Sequence, residues 1–406
     1  MSIADNMTPQ ENNSIYTKVF FLALIYNFFL AFNFTNNAIY PLFVIQSGGT
    51  STNIGLFMAV YSLSAVISRP IVGPFIDRYG SRNTMIVGSL LMSLPAIFYI
   101  PAIGEPFPVW VWGLRIIQGF GAGAHFSSFF TLASEVAPEG KRNETIAMYG
   151  ISGLGANLVA PLMGEWLTET YGLSHFFIMV TSFGVMATLM AFLIKTPLKI
   201  ASHDVFSPRK AKEAVMTKKM LLPYSLSFAM AVPVAIPLMF LAPFAKDIGL
   251  TGFSLFFTGY ATTGIIARLI GKRWADQFGW RRMLIPLFLL FAISMILIAN
   301  SESRQALILA GLFGGIAHAL AFPAIIALGY TFAPKEVKGS AIAVLTGTMD
   351  LGFFVSGVIF GQVAYLWGYK MLFYGASIIP IMGALGLVIH IIKYPQHFSS
   401  DAEEDG

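Results

Sequence analysis

Cysteine is missing from all 406 positions, which excludes disulfide cross-links, thiolate metal sites and cysteine nucleophiles. Charge is scarce too. Only 11% of residues are Asp, Glu, Lys or Arg while 56% are hydrophobic, and a soluble globular domain carries about 25% charged residues. The phosphate-cradling pattern of spaced glycines followed by Lys and Ser or Thr is absent, so ATP is not the energy source. No serine elbow flanked by glycines occurs, and His125 and His318 lack the nearby carboxylates of a metal site. An enzyme is therefore not expected, and neither is a cofactor. The segment from Met1 to Lys18 carries Asp5 and Glu11 and lacks a basic stretch with a small-residue cleavage site, so no cleavable signal peptide is expected.

What the sequence has is apolar length. Runs of about 18 to 25 residues, enough to cross a ~30 Å hydrocarbon core, begin near Val19, Asn53, Thr84, Val109, Thr145, Phe176, Leu221, Leu255, Met283, Ala306, Ala341 and Leu372. In lipid the backbone must satisfy its own hydrogen bonds, and these runs are too long and uniformly apolar for barrel strands. The expected fold is all-α and integral to the membrane, with twelve transmembrane helices.

The net charge of +5 is distributed in a way that orients the chain. With the N-terminus in the cytoplasm and alternating helices, only Lys246, Arg304 and Lys370 fall outside, and Arg115 lies within a span. The remaining Lys and Arg face the cytoplasm, as the positive-inside rule demands. Both termini are expected in the cytoplasm, the protein in the inner (plasma) membrane as a monomer, and the basic excess against anionic lipid rather than nucleic acid.

The longest polar connection carries Lys199, Arg209, Lys210, Lys212, Lys218 and Lys219, with Pro197 and Pro208 breaking regular structure. It divides the chain into an N-terminal six-helix bundle (1–195), a cytoplasmic loop (196–220) and a C-terminal six-helix bundle with a short tail (221–406). The halves repeat. Arg69, Asp77, Gly80 and Arg82 recur in order and spacing as Arg268, Asp276, Gly279 and Arg281, and Ala137 and Pro138 recur as Ala333 and Pro334. A period near half the chain reads as duplication of a six-helix unit into two pseudo-symmetric bundles.

Gly73, Asp77, Arg78, Gly80 and Arg82, between the second and third runs, resemble the signature loop of the major facilitator superfamily. Arg115, Gln118, Gly119 and Gly121 in the fourth run are similar to that family's intramembrane Arg motif. Ala160, Pro161 and Gly164 in the fifth resemble the Gly-Pro motif of its antiporters, with Ala160 where that motif has Gly and Glu165 replacing its final Gly. The resemblance covers essentially the whole chain. It implies a transporter in which the Asp77 loop, with Asp276 as its repeat, latches the halves closed on the cytoplasmic side against helix N-termini, whose dipole contributes about 0.3–1 kcal/mol to a nearby anion. Gly73 and Gly80 are read as allowing a close backbone approach and a tight turn. The alternative is that the loop arginines only orient the topology.

At 100° per residue Arg115, Gln118, Ala122 and His125 form one polar stripe on the fourth helix. A guanidinium within a span costs about 2.5–3.5 kcal/mol and is by default functional. The resemblance makes Arg115 a participant in proton coupling; snorkelling to the outer surface is the plain alternative. Asp350 is read as the only carboxylate deep in a span, hence a proton or cation site, or else a structural hydrogen bond or a partner of Arg115. His318, near mid-span in the tenth run, is placed to relay that proton or bind substrate. His125 is read as a cavity residue or a bond to a neighbouring helix. Asn33, Asn36 and Asn37 fall on one face of the first helix. In the family that helix lines the cavity, so these amides are candidate substrate contacts or packing glue. Pro223, Pro233, Pro237 and Pro243 are expected to kink the seventh run.

The function expected is secondary active transport of a small organic solute by alternating access, as proton-coupled efflux of small amphiphilic compounds. Proton-coupled uptake of a metabolite such as an organic acid or sugar is the alternative, and a non-transporting membrane sensor stands as a reading of another class.

Overall fold

The structure, a computed structural model, describes residues 15–138, 142–195, 218–271, 274–333 and 338–393. Most of the expected central loop (196–217) and both chain ends lie outside them. Among the described residues every regular element is a helix and no strand occurs. The helices are α1 (Lys18–Thr35), α2 (Tyr40–Gln46), α3 (Ser51–Ser93), α4 (Trp110–Glu135), α5 (Arg142–Tyr171) and α6 (Leu173–Leu193), then α7 (Leu221–Asp247), α8 (Leu255–Gly271), α9 (Trp274–Ala299), α10 (Arg304–Phe332) and α11 (Lys338–Lys393).

Six helical stretches among the described residues are long and apolar enough to cross a membrane, and two of these run to 52 and 50 residues. At ~1.5 Å per residue each is more than twice as long as the hydrocarbon core is thick. Each contains a break. Gly80 in α3 (φ 82°, ψ 159°) and Gly368 in α11 (φ 81°, ψ 167°) leave helical geometry, in a region that disfavours any residue with a Cβ. Gly172, between α5 and α6, has φ 86° and matches Gly368 in its place along the second half. Gly48 (φ 74°) and Gly249 (φ 68°) are a second such pair, after α2 and after α7.

Local sequence explains the ends. Thr17 caps α1 by accepting from the Phe20 N–H at 3.2 Å. Thr50 and Asn53 form a reciprocal capping box at the start of α3. Helix α1 gives way at Asn36–Ala38 to a 3-10 turn, and α2 then starts with Pro41 in its first turn, where the missing N–H costs nothing. Helix α7 runs unbroken through all four of its prolines.

The chain divides into two compact units: Met1–Phe206 with Leu238–Pro243, and Ser207–Pro237 with Phe244–Gly406. In the first, the packed interior is built from Phe20, Tyr26, Leu30, Met85, Met92, Phe129 and Leu132. In the second, Met230, Leu284, Phe288, Phe291, Leu320, Leu328 and Leu345 play that part. The outward surface keeps large apolar side chains such as Ile71, Phe98, Leu269, Leu366 and Ile389 exposed, the pattern expected of a chain solvated by lipid.

Candidate functional site

Arg115 sits in the first unit with 1% of its surface exposed, so it does not snorkel. Small residues bring α4 against α3: a Cβ at Gly119 would collide with the Tyr61 carbonyl, and one at Gly121 with the Met92 backbone. That close approach puts the Arg115 fork among fixed acceptors. Its Nε donates to the Phe57 carbonyl at 3.2 Å, one terminal nitrogen to Gln118 Oε1 at 3.2 Å, and the other to Asn37 Oδ1 at 2.6 Å and Met58 Sδ at 3.0 Å. The guanidinium carbon lies 4.4 Å from the Tyr61 ring centre, 4.6 Å from Phe57 and 4.8 Å from Tyr40. Cation–π attraction of this kind reaches about 2 kcal/mol per desolvated ring. Gln118 is equally occupied. Its Oε1 also accepts from the Tyr99 hydroxyl at 2.9 Å, and its Nε2 donates to Tyr40 Oη at 3.0 Å and the Met92 carbonyl at 3.2 Å. The two residues tie α1's exit turn, α3 and α4 into one neutral-lined network around a single positive charge.

Each of the three asparagine amides meets a different neighbour. Asn33 donates to Ser93 Oγ at 3.0 Å and the Val180 carbonyl at 3.4 Å. Asn36 donates to the Phe32 carbonyl at 3.1 Å, and its Oδ1 abuts Gly164 of α5 without a hydrogen bond. Asn37 turns to Arg115. Gly164 thus supplies room for Asn36, a function of the antiporter-like stretch that spacing alone does not reveal.

His125 is 1% exposed, and its Nδ1 lies 3.1 Å from Tyr26 Oη. Since Tyr26 donates its proton to the Met85 carbonyl at 3.1 Å, the imidazole donates from Nδ1, and Nε2 is left buried without a partner. In the second unit His318 is half-buried, its ring 5.8 Å from that of Tyr260 and 6.0 Å from Phe322. Asp350 lies in α11, half-buried. A second carboxylate within a helix, Glu165 of α5, is 5% exposed and lies six residues from the end of that helix.

In the loop between the two stretches of α3, Gly80 supplies the required positive φ. A Cβ built at Gly73 meets nothing within 4 Å among the described residues. Arg82 caps α6 by donating to the Ala191 and Phe192 carbonyls at 3.3 and 2.8 Å, and Arg78 lies over Tyr79. Ser81 donates to Glu135 at the end of α4 at 2.6 Å. Asp77 is half-buried. The segment before α11 that it was expected to meet, and the side chain of Asp276, lie outside the described residues.

The model of the Major Facilitator Superfamily matches residues 22–253 and again 221–405. The chain belongs to the major facilitator superfamily. Among relatives in this superfamily, the multi-drug resistance efflux pump PmrA of Streptococcus pneumoniae is 26% identical over 360 residues, 83% of this chain and 87% of that protein. The staphylopine export protein of Staphylococcus aureus is 23% identical over 386 residues, 90% and 92% of the two chains. Among solved structures, the nucleoside transporter NupG superposes with a TM-score of 0.72 at 13% identity, covering 92% of this chain and 99% of that one. A POT family transporter reaches 0.73 at 14%, over 92% and 96%. These two establish the fold. Family and relatives are transporters rather than enzymes, so the chain is a multi-pass membrane transporter of a small-molecule substrate.

Proposed function

We infer that the protein exports small amphiphilic compounds across the plasma membrane, driven by the proton gradient. The observation that carries this reading is that two relatives aligned over most of both lengths are named for efflux and export. Twelve crossings in two six-helix halves, with both termini in the cytoplasm, follow from the charge asymmetry and from the repeat. The halves alternate access to a midplane site, and the chain works as a monomer.

Asp350 carries the exchanged proton in this scheme, with His318 between it and the substrate. Arg115 acts through the network it organises, holding the exit of α1 against α3 and α4 while the first half moves as a body. Gln118, Asn33, Asn36 and His125 fix the helices around that charge. Asp77, with Arg78, Arg82 and the repeat residue Asp276, closes the cytoplasmic side. One proton moving down ~100 mV supplies about 2.3 kcal/mol, which sustains a gradient of roughly 40-fold at ~1.4 kcal/mol per decade.

Everted membrane vesicles containing the protein test the direction. Energised by an inward-acid proton gradient, they are expected to accumulate a lipophilic dye and to release it on uncoupling. Accumulation only in right-side-out vesicles would establish uptake instead.

A further inference from the structure

The second unit holds a polar cluster of which sequence reading anticipated only His318. Tyr260 and Arg268 lie on α8 and His318 on α10, with all three side chains half-buried. The Tyr260 ring lies over Gly314, where an added Cβ would come within 3.2 Å of it, and stands 5.8 Å from the His318 ring. Arg268 is about two turns further along α8. Side chains on a helix lean toward its N-terminus, the direction that leads from Arg268 toward Tyr260. The Arg268 charge acts on both Tyr260 and His318. An arginine so near a helix end ordinarily extends its head to water. Here, among the described residues, Nε is buried without a hydrogen-bond partner, and so is the Tyr260 hydroxyl.

A guanidinium only donates, whereas a phenol and a neutral imidazole each have one hydrogen to donate besides a lone pair that accepts. Buried donors without acceptors are costly. Arg115, in the first unit, is supplied with acceptors by Phe57, Gln118 and Asn37; Arg268 Nε has no such supply. A fixed cation near a phenol and an imidazole that can each donate matches an oxyanion, and the planar fork matches a carboxylate in particular. Phe322, half-buried and 6.0 Å from His318, puts apolar surface beside the donors.

We propose that Tyr260, Arg268 and His318 form a site for the carboxylate of a transported amphiphile, whose apolar body lies against Phe322. The proposal rests on the export reading and narrows its substrate class to organic anions.

The test measures thermal stabilisation of the purified protein by phenylbutyrate and decanoate against their neutral amides. At least one acid is expected to stabilise saturably and to bind about tenfold more tightly than its amide. R268Q is expected to lose about tenfold in affinity for that acid, and Y260F and H318Q about threefold each. Equal binding of acids and amides, saturation by neither acid, or wild-type affinity in R268Q would overturn the site. Should R268Q fail to fold, Y260F and H318Q carry the decision, and wild-type affinity in both overturns it. Everted vesicles separate the two readings. An acid that binds but is not pumped inward keeps the site and removes export; dyes pumped with no binding of either acid keep export and remove the site.

Discussion

Where α4 crosses α3 in the first unit, Arg115 reaches the carbonyl of Phe57 through a hydrogen bond. Where α10 crosses α8 in the second, Gly311 lies directly against the carbonyl of Phe256, with no room for a Cβ. Phe57 and Phe256 hold matching places in the repeat. So do Tyr61 and Tyr260, whose carbonyls face Gly119 and Gly315 in the same manner. Farther along, the small residue changes sides: Gly123 of α4 packs on Ala65 and Ser68 of α3, whereas Gly264 of α8 packs near Ala319 of α10. Close backbone approach is thus common to both units while the side chains differ. The first unit fastens the contact with a satisfied cation. The second fastens it with direct packing and has donors to spare at Arg268 and Tyr260.

Breaking the first fastening is expected to have the largest effect on stability. Arg115→Leu removes the fork and its stacking on three rings and strands the buried acceptor of Asn37, at about 1–3 kcal/mol for that oxygen. Thermal unfolding of the detergent-purified protein should fall by several degrees, and an unchanged midpoint would mean that the network is ornamental. Next in size is the second fastening. Gly311→Ala drives a methyl into the Phe256 carbonyl, an overpacking of about 1–3 kcal/mol that the same scan reads; a neutral result would show that the α8–α10 contact can open freely. The smallest change is Tyr99→Phe. It deletes one interhelical hydrogen bond to Gln118, worth about 0.6 kcal/mol on average within membranes. A loss as large as that of Arg115→Leu would make the network cooperative beyond the sum of its bonds.

Much of this comparison could be read from the sequence, and for a clear reason. Apolar run length and charge asymmetry are one-dimensional properties that the bilayer imposes directly. The spacing of Gly73, Asp77, Gly80 and Arg115 was enough to indicate the family. Partnership was not legible. Tyr40 and Tyr99 complete the Arg115 and Gln118 network, yet nothing distinguishes them among the chain's 15 tyrosines. The separate partners of Asn33, Asn36 and Asn37 depend on which helix packs against each amide, which periodicity does not carry. Glu165 was visible only as a departure from the antiporter-like motif, because burial near a helix end depends on the neighbouring helix. Arg268 was visible only as a repeat of Arg69, and the packing of α8 on α10 gives it its neighbours.

The central claim is that a proton carried by Asp350 drives transport, and replacing that carboxylate tests it most directly. Asp350→Asn keeps the shape and some hydrogen bonding but removes the titratable proton. In everted vesicles the variant is expected to lose uphill, gradient-driven accumulation while still exchanging labelled for unlabelled substrate across the membrane. Proton-driven accumulation at the wild-type rate, with wild-type pH dependence, would contradict the account.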